Sequence, residues 1–162
     1  MTNGSNLLQN ASLETATNGT PNCWLLGGYG TNTFTWTRTS DAHSGSWAEN
    51  LNISSFTSGD RKLVNTQDAG ACAPAATPGH TYTVSAWYKS AVSPRIFAYY
   101  RLNGTWTYWA TSPAFPASAS SWAQAAWVSP PVPAGATNLS VGMGLVASGS
   151  ATMDDFGLFD NH

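Results

Sequence analysis

Short segments in which hydrophobic and polar residues alternate run along almost the whole chain, and Gly, Pro, Asn and Ser separate them roughly every eight to twelve residues. A period of two is typical of strands that bury one face, whereas the longer period of an amphipathic helix is nearly absent. The segments predicted as strands are residues 6–10, 33–39, 47–53, 61–67, 80–90, 95–102, 105–110, 121–130, 137–147 and 151–160. No repeat or linker divides them, so the pattern predicts one all-β domain over residues 1–162, a sandwich of roughly eight to ten strands.

Segments 95–102 and 105–110 are joined by Asn103-Gly104, the turn that most strongly indicates a β-hairpin. A two-residue turn fixes the register of the two strands. The predicted facing pairs are Leu102 with Thr105, Arg101 with Trp106, Tyr100 with Thr107, Tyr99 with Tyr108, and Ala98 with Trp109. One face of the hairpin then holds the branched aliphatic residues and Trp109, and we expect that face to pack inward.

The other face of the hairpin carries Phe97, Tyr99, Arg101, Trp106 and Tyr108. Rings with polar tips beside a guanidinium group are poor core residues and suit molecular recognition. We therefore expect Tyr99, Arg101, Trp106 and Tyr108 to form an exposed binding surface. The alternative is that another loop or sheet covers this face.

Aromatic residues elsewhere divide into two predicted groups. Trp87 and Lys89 share one face of segment 80–90, and they are expected to adjoin the binding surface if that strand belongs to the same sheet. Trp36 and Arg38 share one face of segment 33–39 and are further candidates for the cleft. The residues expected in the core are Tyr82, Val84, Ala86, Tyr88, Trp24, Trp122 and Trp127.

Charge and hydropathy restrict the partners of the chain. Six basic and eight acidic side chains among 162 residues, with no basic run, supply little to neutralise phosphates, so nucleic acid and anionic membranes are poor partners. A neutral partner is expected, and the length suffices for a stable monomer. There is no membrane-spanning apolar run, and the amino-terminal residues lack the pattern of a signal peptide. We expect a module of a longer secreted, extracellular polypeptide whose export signal lies elsewhere.

The two cysteines, Cys23 and Cys72, both lie in loop-like sequence. Their context predicts a disulfide formed in an oxidising compartment, with two free thiols as the alternative. Two Cys and three scattered His residues have no ligand spacing, so a site of the zinc type is not expected.

The predicted binding surface matches the chemistry of a sugar. Flat Trp and Tyr rings can cover the C–H patch of a pyranose ring, while Arg, Asn and Gln can satisfy the hydroxyl groups around it. A module for protein interaction or cell-surface adhesion is the main alternative, because exposed aromatic patches also mark protein interfaces. Catalysis is less favoured, since Glu14 and Glu49 are the only glutamates and a glycosidase needs two carboxyl groups across a cleft. Lyase chemistry on acidic sugars is the least implausible enzymatic alternative.

Several loose motifs occur in a characteristic order: "NLLQNASLE", "SDAHSGSWA", "GHTYTVSAWYK", "SWAQAAW" followed by "VPAGATNLSVGM", and "MDDFGLFD". Together they span residues 6–160 and resemble carbohydrate-binding modules of families 4, 9, 16 and 22. The resemblance implies a galactose-binding-like β-sandwich of jelly-roll topology. It also implies a non-catalytic role, in which a bacterial module holds polysaccharide, such as a β-glucan or a related neutral glycan, near an attached catalytic domain.

Many modules of this group carry a structural calcium ion, and the resemblance extends to its ligands. Glu14 and Asp155 match the side-chain ligands, and carbonyl groups around His43 to Ser46 match the loop. Carboxylate and carbonyl oxygens suit a hard cation. Asp154 can replace Asp155, because neighbouring strand residues point in opposite directions. The alternative is that these acids cap surface turns.

Overall fold

All regular secondary structure in the described part of the chain, residues 4–162 of a computed structural model, is β-structure. Within that part, no helix is long and apolar enough to cross a membrane. The strands are β1 (Ala16–Thr17), β2 (Thr20–Pro21), β3 (Trp24–Tyr29), β4 (Asn32–Thr39), β5 (Ala48–Phe56), β6 (Asp60–Asn65), β7 (Tyr82–Ser90), β8 (Arg95–Leu102), β9 (Thr105–Thr111), β10 (Ser118–Val128), β11 (Ala136–Leu145) and β12 (Gly149–Asp160).

Two five-stranded antiparallel sheets form the sandwich, which has jelly-roll topology as predicted. The β7 sheet has the order β10-β7-β12-β5-β4, and the β11 sheet has the order β3-β6-β11-β8-β9. Strands β1 and β2 form a separate small hairpin. Apart from the consecutive pairs β4–β5 and β8–β9, neighbouring strands are not consecutive in sequence. Alternation along the chain cannot supply this strand order.

The hydrophobic core lies between the two sheets. Its fully buried side chains include Leu51, Ile53, Leu63, Tyr82, Tyr88, Ile96, Leu139, Met143, Leu145, Met153 and Leu158. The predicted inward face of β7 is confirmed, because Tyr82, Val84, Ala86 and Tyr88 all belong to this core. Trp24 is buried against Phe156, with ring centroids 4.6 Å apart.

The amino-terminal segment differs from the prediction. Residues 6–10 form no strand; instead the Leu7 amide donates to the Leu158 carbonyl, and the Asn6 side chain bonds the backbone of Phe156 and Leu158. The Asn6 side chain thus makes hydrogen bonds to β12 that the backbone of a paired strand would otherwise make. Strand β3 was not predicted, because Gly27 and Gly28 interrupt its alternation.

The predicted disulfide is confirmed. Cys23 and Cys72 are bonded, with Cα atoms 5.2 Å apart across a sequence separation of 49 residues. The bond joins the residue before β3 to the loop that follows β6, so it ties one edge of the β11 sheet to the adjacent loop.

The β8–β9 hairpin follows the predicted register close to its turn. Arg101 faces Trp106 and Tyr99 faces Tyr108. The predicted pairing of Ala98 with Trp109 is wrong, because a β-bulge makes Ala98 face Ala110. The extra residue, Trp109, still packs against the core, with its ring edge-on to that of Tyr100.

Candidate functional site

A cavity of about 650 Å³ opens on the outer face of the β11 sheet. Its lining residues are Tyr29, Gly59, Asp60, Lys62, Arg95, Phe97, Tyr99, Tyr108, Thr111 and Val146. A second hollow of about 390 Å³ shares Tyr29, Lys62 and Tyr99 with the first and continues over Leu25, Gly27 and Val64. The two hollows together are called the cleft below.

Two glycines of β11 lie in the sheet between strands whose side chains line the cleft. Gly144 lies between Lys62 and Arg95 in the sheet, and Gly142 lies between Val64 and Phe97. A Cβ atom at either glycine would overlap the backbone of β6. The central strand therefore places no side chain between Lys62 and Arg95 or between Val64 and Phe97, and these neighbouring side chains line the cleft.

A buried ion pair lies at the bottom of the cleft. Lys62 Nζ is 2.6 Å from Asp60 Oδ1, and the two side chains are only 8% and 9% exposed. The ammonium group also lies 5.2 to 5.5 Å from the ring centroids of Tyr29, Phe97 and Tyr99. Burial lowers the pKa of Lys62, but hydrogen bonds and charge interactions with Asp60 and Tyr99 outweigh burial and raise it overall. Lys62 is therefore a fixed cation and hydrogen-bond donor.

Exposed tyrosines form the rim of the cleft. Tyr29 is 66% exposed and Tyr108 is 55% exposed. Tyr108 stands edge-on to Tyr99, with ring centroids 5.8 Å apart, and its hydroxyl bonds that of Thr111. The bulge at Trp109 brings Thr111 onto the cleft side of β9, where it faces Phe97. Exposed rings of this kind can stack on a flat apolar ligand surface.

Of the four cleft residues predicted from the hairpin, Tyr99 and Tyr108 line the cavity. Arg101 and Trp106 share their face, but they lie nearer the turn and outside the cavity lining. Sequence reasoning did not identify Tyr29, Asp60 or Lys62 as cleft residues. Lys62 and the core residue Leu63 point to opposite faces of β6. That alternation was the signal in the sequence that Lys62 lies on the outer face of the sheet.

Trp87 and Lys89 do not belong to this cleft, because β7 lies in the other sheet. The Trp87 ring stacks on His43 with centroids 4.1 Å apart, and Lys89 pairs with Asp41 at 2.7 Å. Lys89 also lies over Trp122, at 5.2 Å from its centroid. Trp122 therefore packs against polar neighbours of the β7 sheet and is absent from the core cluster, contrary to the prediction, while Trp127 packs against the core as expected.

Trp36 and Arg38 also lie away from the cleft. Trp36 pairs with the core residue Leu51 in the sheet and packs against the hydrophobic core. The Arg38 guanidinium lies 4.1 Å from the Trp47 ring centroid and donates to the Glu14 carbonyl at 2.7 Å. Both side chains lie on the inward face of β4, an edge strand of the β7 sheet. The prediction that they share one face is confirmed, but that face turns toward the core and not toward the cleft.

The residues expected to hold calcium surround one loop. The Glu14 carboxylate accepts a hydrogen bond from the Ser46 amide at 2.9 Å, and Asp154 accepts one from the His43 amide at 2.9 Å. Asp155 Oδ2 lies 2.6 Å from His43 Nδ1. Burial raises the pKa of Asp154 to about 6, although backbone hydrogen bonds oppose that change. Asp154 is the fully buried member of the pair, and no basic side chain among the described residues forms an ion pair with it. Backbone amides of His43 and Ser44 donate to Asp154, and the carboxylates of Asp154 and Glu14 are the type of oxygen ligand that a hard cation prefers.

Three side chains of types that can ligate a metal, His80, Asp160 and His162, meet near the carboxyl end of the described chain. His80 Nδ1 lies 3.0 Å from Asp160, and the His80 and His162 rings stack with centroids 4.3 Å apart. This cluster was not predicted, because residues 80 and 160 come together only through the pairing of β7 with β12.

The cavity contains one carboxylate among the described residues, that of Asp60, and it is bound to Lys62. Glu49 is 1% exposed on the inner side of β5, where burial raises its pKa to about 7. The cleft thus lacks the pair of facing carboxyl groups on which most glycosidases depend.

No protein-family model matches the chain, and no curated protein matches it. Solved structures do resemble it. The xylan-binding module CBM22-1 of Paenibacillus barcinonensis Xyn10C superposes with a TM-score of 0.63 at 13% identity, over 99% of this chain and 97% of that one. TmCBM61 in complex with β-1,4-galactotriose gives a TM-score of 0.57 at 19% identity, over 97% and 99%.

The enzymatically active domain of tailspike protein 4 from bacteriophage CBA120 has a TM-score of 0.70 at 16% identity. The match covers 96% of this chain and 21% of the tailspike chain, so the present chain spans about a fifth of that protein. The chain therefore has the galactose-binding-like jelly-roll fold that is found in carbohydrate-binding modules of families 22 and 61.

Proposed function

We propose that this protein is a non-catalytic carbohydrate-binding module that holds a polysaccharide in the cleft of the β11 sheet. The observation that carries the proposal is the cleft itself, in which exposed tyrosine rings on the rim stand above a polar floor. Sugars present C–H patches to such rings and hydroxyl groups to such a floor. The likeness to modules described with xylan and galactotriose supports the same function.

The expected affinity follows from the number of contacts. Two stacked rings that each hide about 80 Å² would contribute about 2 kcal/mol apiece. Three hydrogen bonds to Lys62, Arg95 and the tyrosine hydroxyls would add about 1 kcal/mol each. Association costs several kcal/mol of this gross value. Dissociation constants between about 1 mM and 1 μM are therefore expected.

The test is affinity gel electrophoresis against β-glucans, xylan, mannan, galactan and algal polysaccharides, with acidic polymers in the same panel. Retardation by at least one polymer, lost in Tyr108→Ala, is the expected result. If no glycan retards the protein, the proposal is wrong, and a protein-interaction or adhesion module becomes the better hypothesis. A β-glucan or other neutral glycan, expected from the sequence, is one arm of this panel, and the acidic polymers are another.

We also propose that the module is secreted and works beside an attached catalytic domain. The Cys23–Cys72 disulfide supports an oxidising compartment. The tailspike match shows the same fold as a small part of a much longer chain. Mass spectrometry of the exported natural protein would test both points, by its location and by its length.

Calcium is a further part of the proposal. Glu14 and Asp154 would hold the ion beside the loop at 43–46, and a divalent cation would compensate the buried charge of Asp154. Adding calcium after dialysis against EGTA should raise the melting temperature, and the rise should be absent in Asp154→Asn. An unchanged melting temperature in the wild-type protein at millimolar calcium would argue against the site.

A further inference from the structure

The cleft has an excess of positive charge. Among the described residues, the cleft lining holds two cations, Lys62 and Arg95, and a single carboxylate, that of Asp60. Arg101 adds a third cation on the same face of the β11 sheet, nearer the hairpin turn. The whole chain nevertheless has a formal net charge of −2. The remaining surface and interior must therefore carry the acidic excess, and the cleft differs in sign from the rest of the molecule.

Asp60 neutralises only one of the three cations. It is bound to Lys62 at 2.6 Å, and that pair is buried. Neither Arg95 nor Arg101 forms an ion pair with any residue in the described range 4–162. Arg95 lines the cavity, and its guanidinium donates one hydrogen bond, to the Ser112 carbonyl at 3.3 Å. At least some of its donors are therefore available to a ligand.

From this charge distribution we infer that the cleft takes an acidic glycan, one whose sugars carry carboxylate groups, with a ligand carboxylate paired to Arg95. The inference rests on the proposed function and names its substrate class. A guanidinium group presents two parallel N–H donors that match a carboxylate, and the pair is stronger than a hydrogen bond between neutral groups. The Tyr29 and Tyr108 rings cover the C–H patch of a sugar regardless of its charge, so the arginines supply the selectivity.

The positions of the two arginines also predict a dependence on chain length. Arg95 and Arg101 lie six residues apart on one strand, or about 20 Å at the usual rise per residue. One sugar ring is too small to contact both. An acidic oligosaccharide that runs along β8 can pair with both, so affinity for uronate oligomers should increase with length until both arginines are engaged.

The experiment compares each acidic polymer with its own uncharged counterpart. Isothermal titration calorimetry or affinity electrophoresis would use polygalacturonate and alginate, together with samples whose carboxyl groups have been reduced to alcohols. The wild-type protein should bind at least one uronate polymer about tenfold more tightly than its reduced form. Raising the salt concentration should reduce this difference, because the pairs are partly exposed to solvent.

Variants assign the preference to Arg95. Arg95→Gln should lose most of the preference for the uronate polymer, the remainder coming from Arg101, and keep its affinity for the reduced polymer. Lys89→Gln, which removes a cation from the opposite sheet, should change neither affinity. Arg95→Lys keeps the charge without the planar guanidinium group, so it should retain only part of the preference. Melting curves of each variant test whether the fold persists.

Several outcomes overturn the inference. Equal affinity for the acidic and reduced polymers, or tighter binding of a neutral glycan, would refute it and leave the proposed function intact. Tighter binding of a sulfated polymer such as dextran sulfate than of either uronate would refute the assignment to carboxylates. Failure of every glycan to bind would refute both the inference and the proposed function.

Discussion

The most informative single change is Tyr108→Ala, because it removes an exposed ring from the rim of the cleft. The Tyr108 ring is held edge-on against Tyr99, and its outer face is open to solvent. Truncation removes the stacking surface and leaves the floor of Lys62 and Asp60 in place. A loss of affinity would therefore report on the rim alone.

The expected size follows from the area that a sugar would cover. A contact that hides about 80 Å² at about 25 cal/mol per Å² contributes about 2 kcal/mol, so the dissociation constant should increase about 30-fold. The folded state loses one edge-on aromatic contact, which lowers the free energy of unfolding by about 1 kcal/mol. For a chain of this length the melting temperature should fall by only about 2 to 4 °C.

The assay is calorimetric titration with the polysaccharide that the gel panel identifies. Tyr108→Phe is the matched control, since it keeps the ring and loses only the hydroxyl bond to Thr111. That variant should bind within about fivefold of the wild-type protein. Trp122→Ala tests the opposite sheet, where Trp87, Lys89 and Trp122 lie together. Wild-type affinity in Tyr108→Ala combined with lost affinity in Trp122→Ala would refute the location of the cleft.

The other predictions concern stability. Lys62→Ala leaves Asp60 buried without its partner and should lower the free energy of unfolding by about 3 kcal/mol in urea titrations, whereas the double variant Lys62→Met with Asp60→Asn should recover most of the loss. Burial raises the pKa of Glu49 from 4.5 to about 7, so the folded protein binds more protons than the unfolded chain between those values and its stability falls as pH rises. Glu49→Gln should therefore be more stable than the wild-type protein at pH 8, by about 3 kcal/mol, and nearly equal at pH 4; a variant that is less stable at pH 8 would contradict this reasoning. Replacing Cys23 and Cys72 together by Ser should lower the free energy of unfolding, measured under non-reducing conditions, by about 4 kcal/mol, because the closed loop is long. A decrease below about 1 kcal/mol would show that the disulfide restrains the unfolded chain very little.

Features with a local cause were predictable from the sequence. The Asn103-Gly104 turn fixed the pairing of Arg101 with Trp106 and of Tyr99 with Tyr108, since a two-residue turn leaves no other register. Alternation likewise identified the inward face of β7. The bulge at Trp109 was not predictable, because an extra residue in one strand does not change the alternation of its partner strand.

Features that depend on strand order were not predictable. Trp87 and Trp122 have the alternation of cleft or core residues, yet β7 and β10 lie in the sheet opposite the cleft. The burial of Lys62 is equally undetermined by its position in a strand. Lys62 adopts a buried position because Asp60, two residues away on the same side of β6, compensates its charge.

Gly142 and Gly144, which lie in the sheet beneath the cleft, do not tolerate substitution, whereas the rim residues do. Any side chain at these glycines would push β6 away from β11 and open the sheet itself. The exposed rings of Tyr29 and Tyr108 have no such constraint, because solvent lies on their outer side. The depth of the cleft is thus set by the integrity of the fold, and its selectivity is set by the rim. Evolution or engineering toward a new glycan should therefore proceed by exchange of rim residues, with Gly142 and Gly144 unchanged.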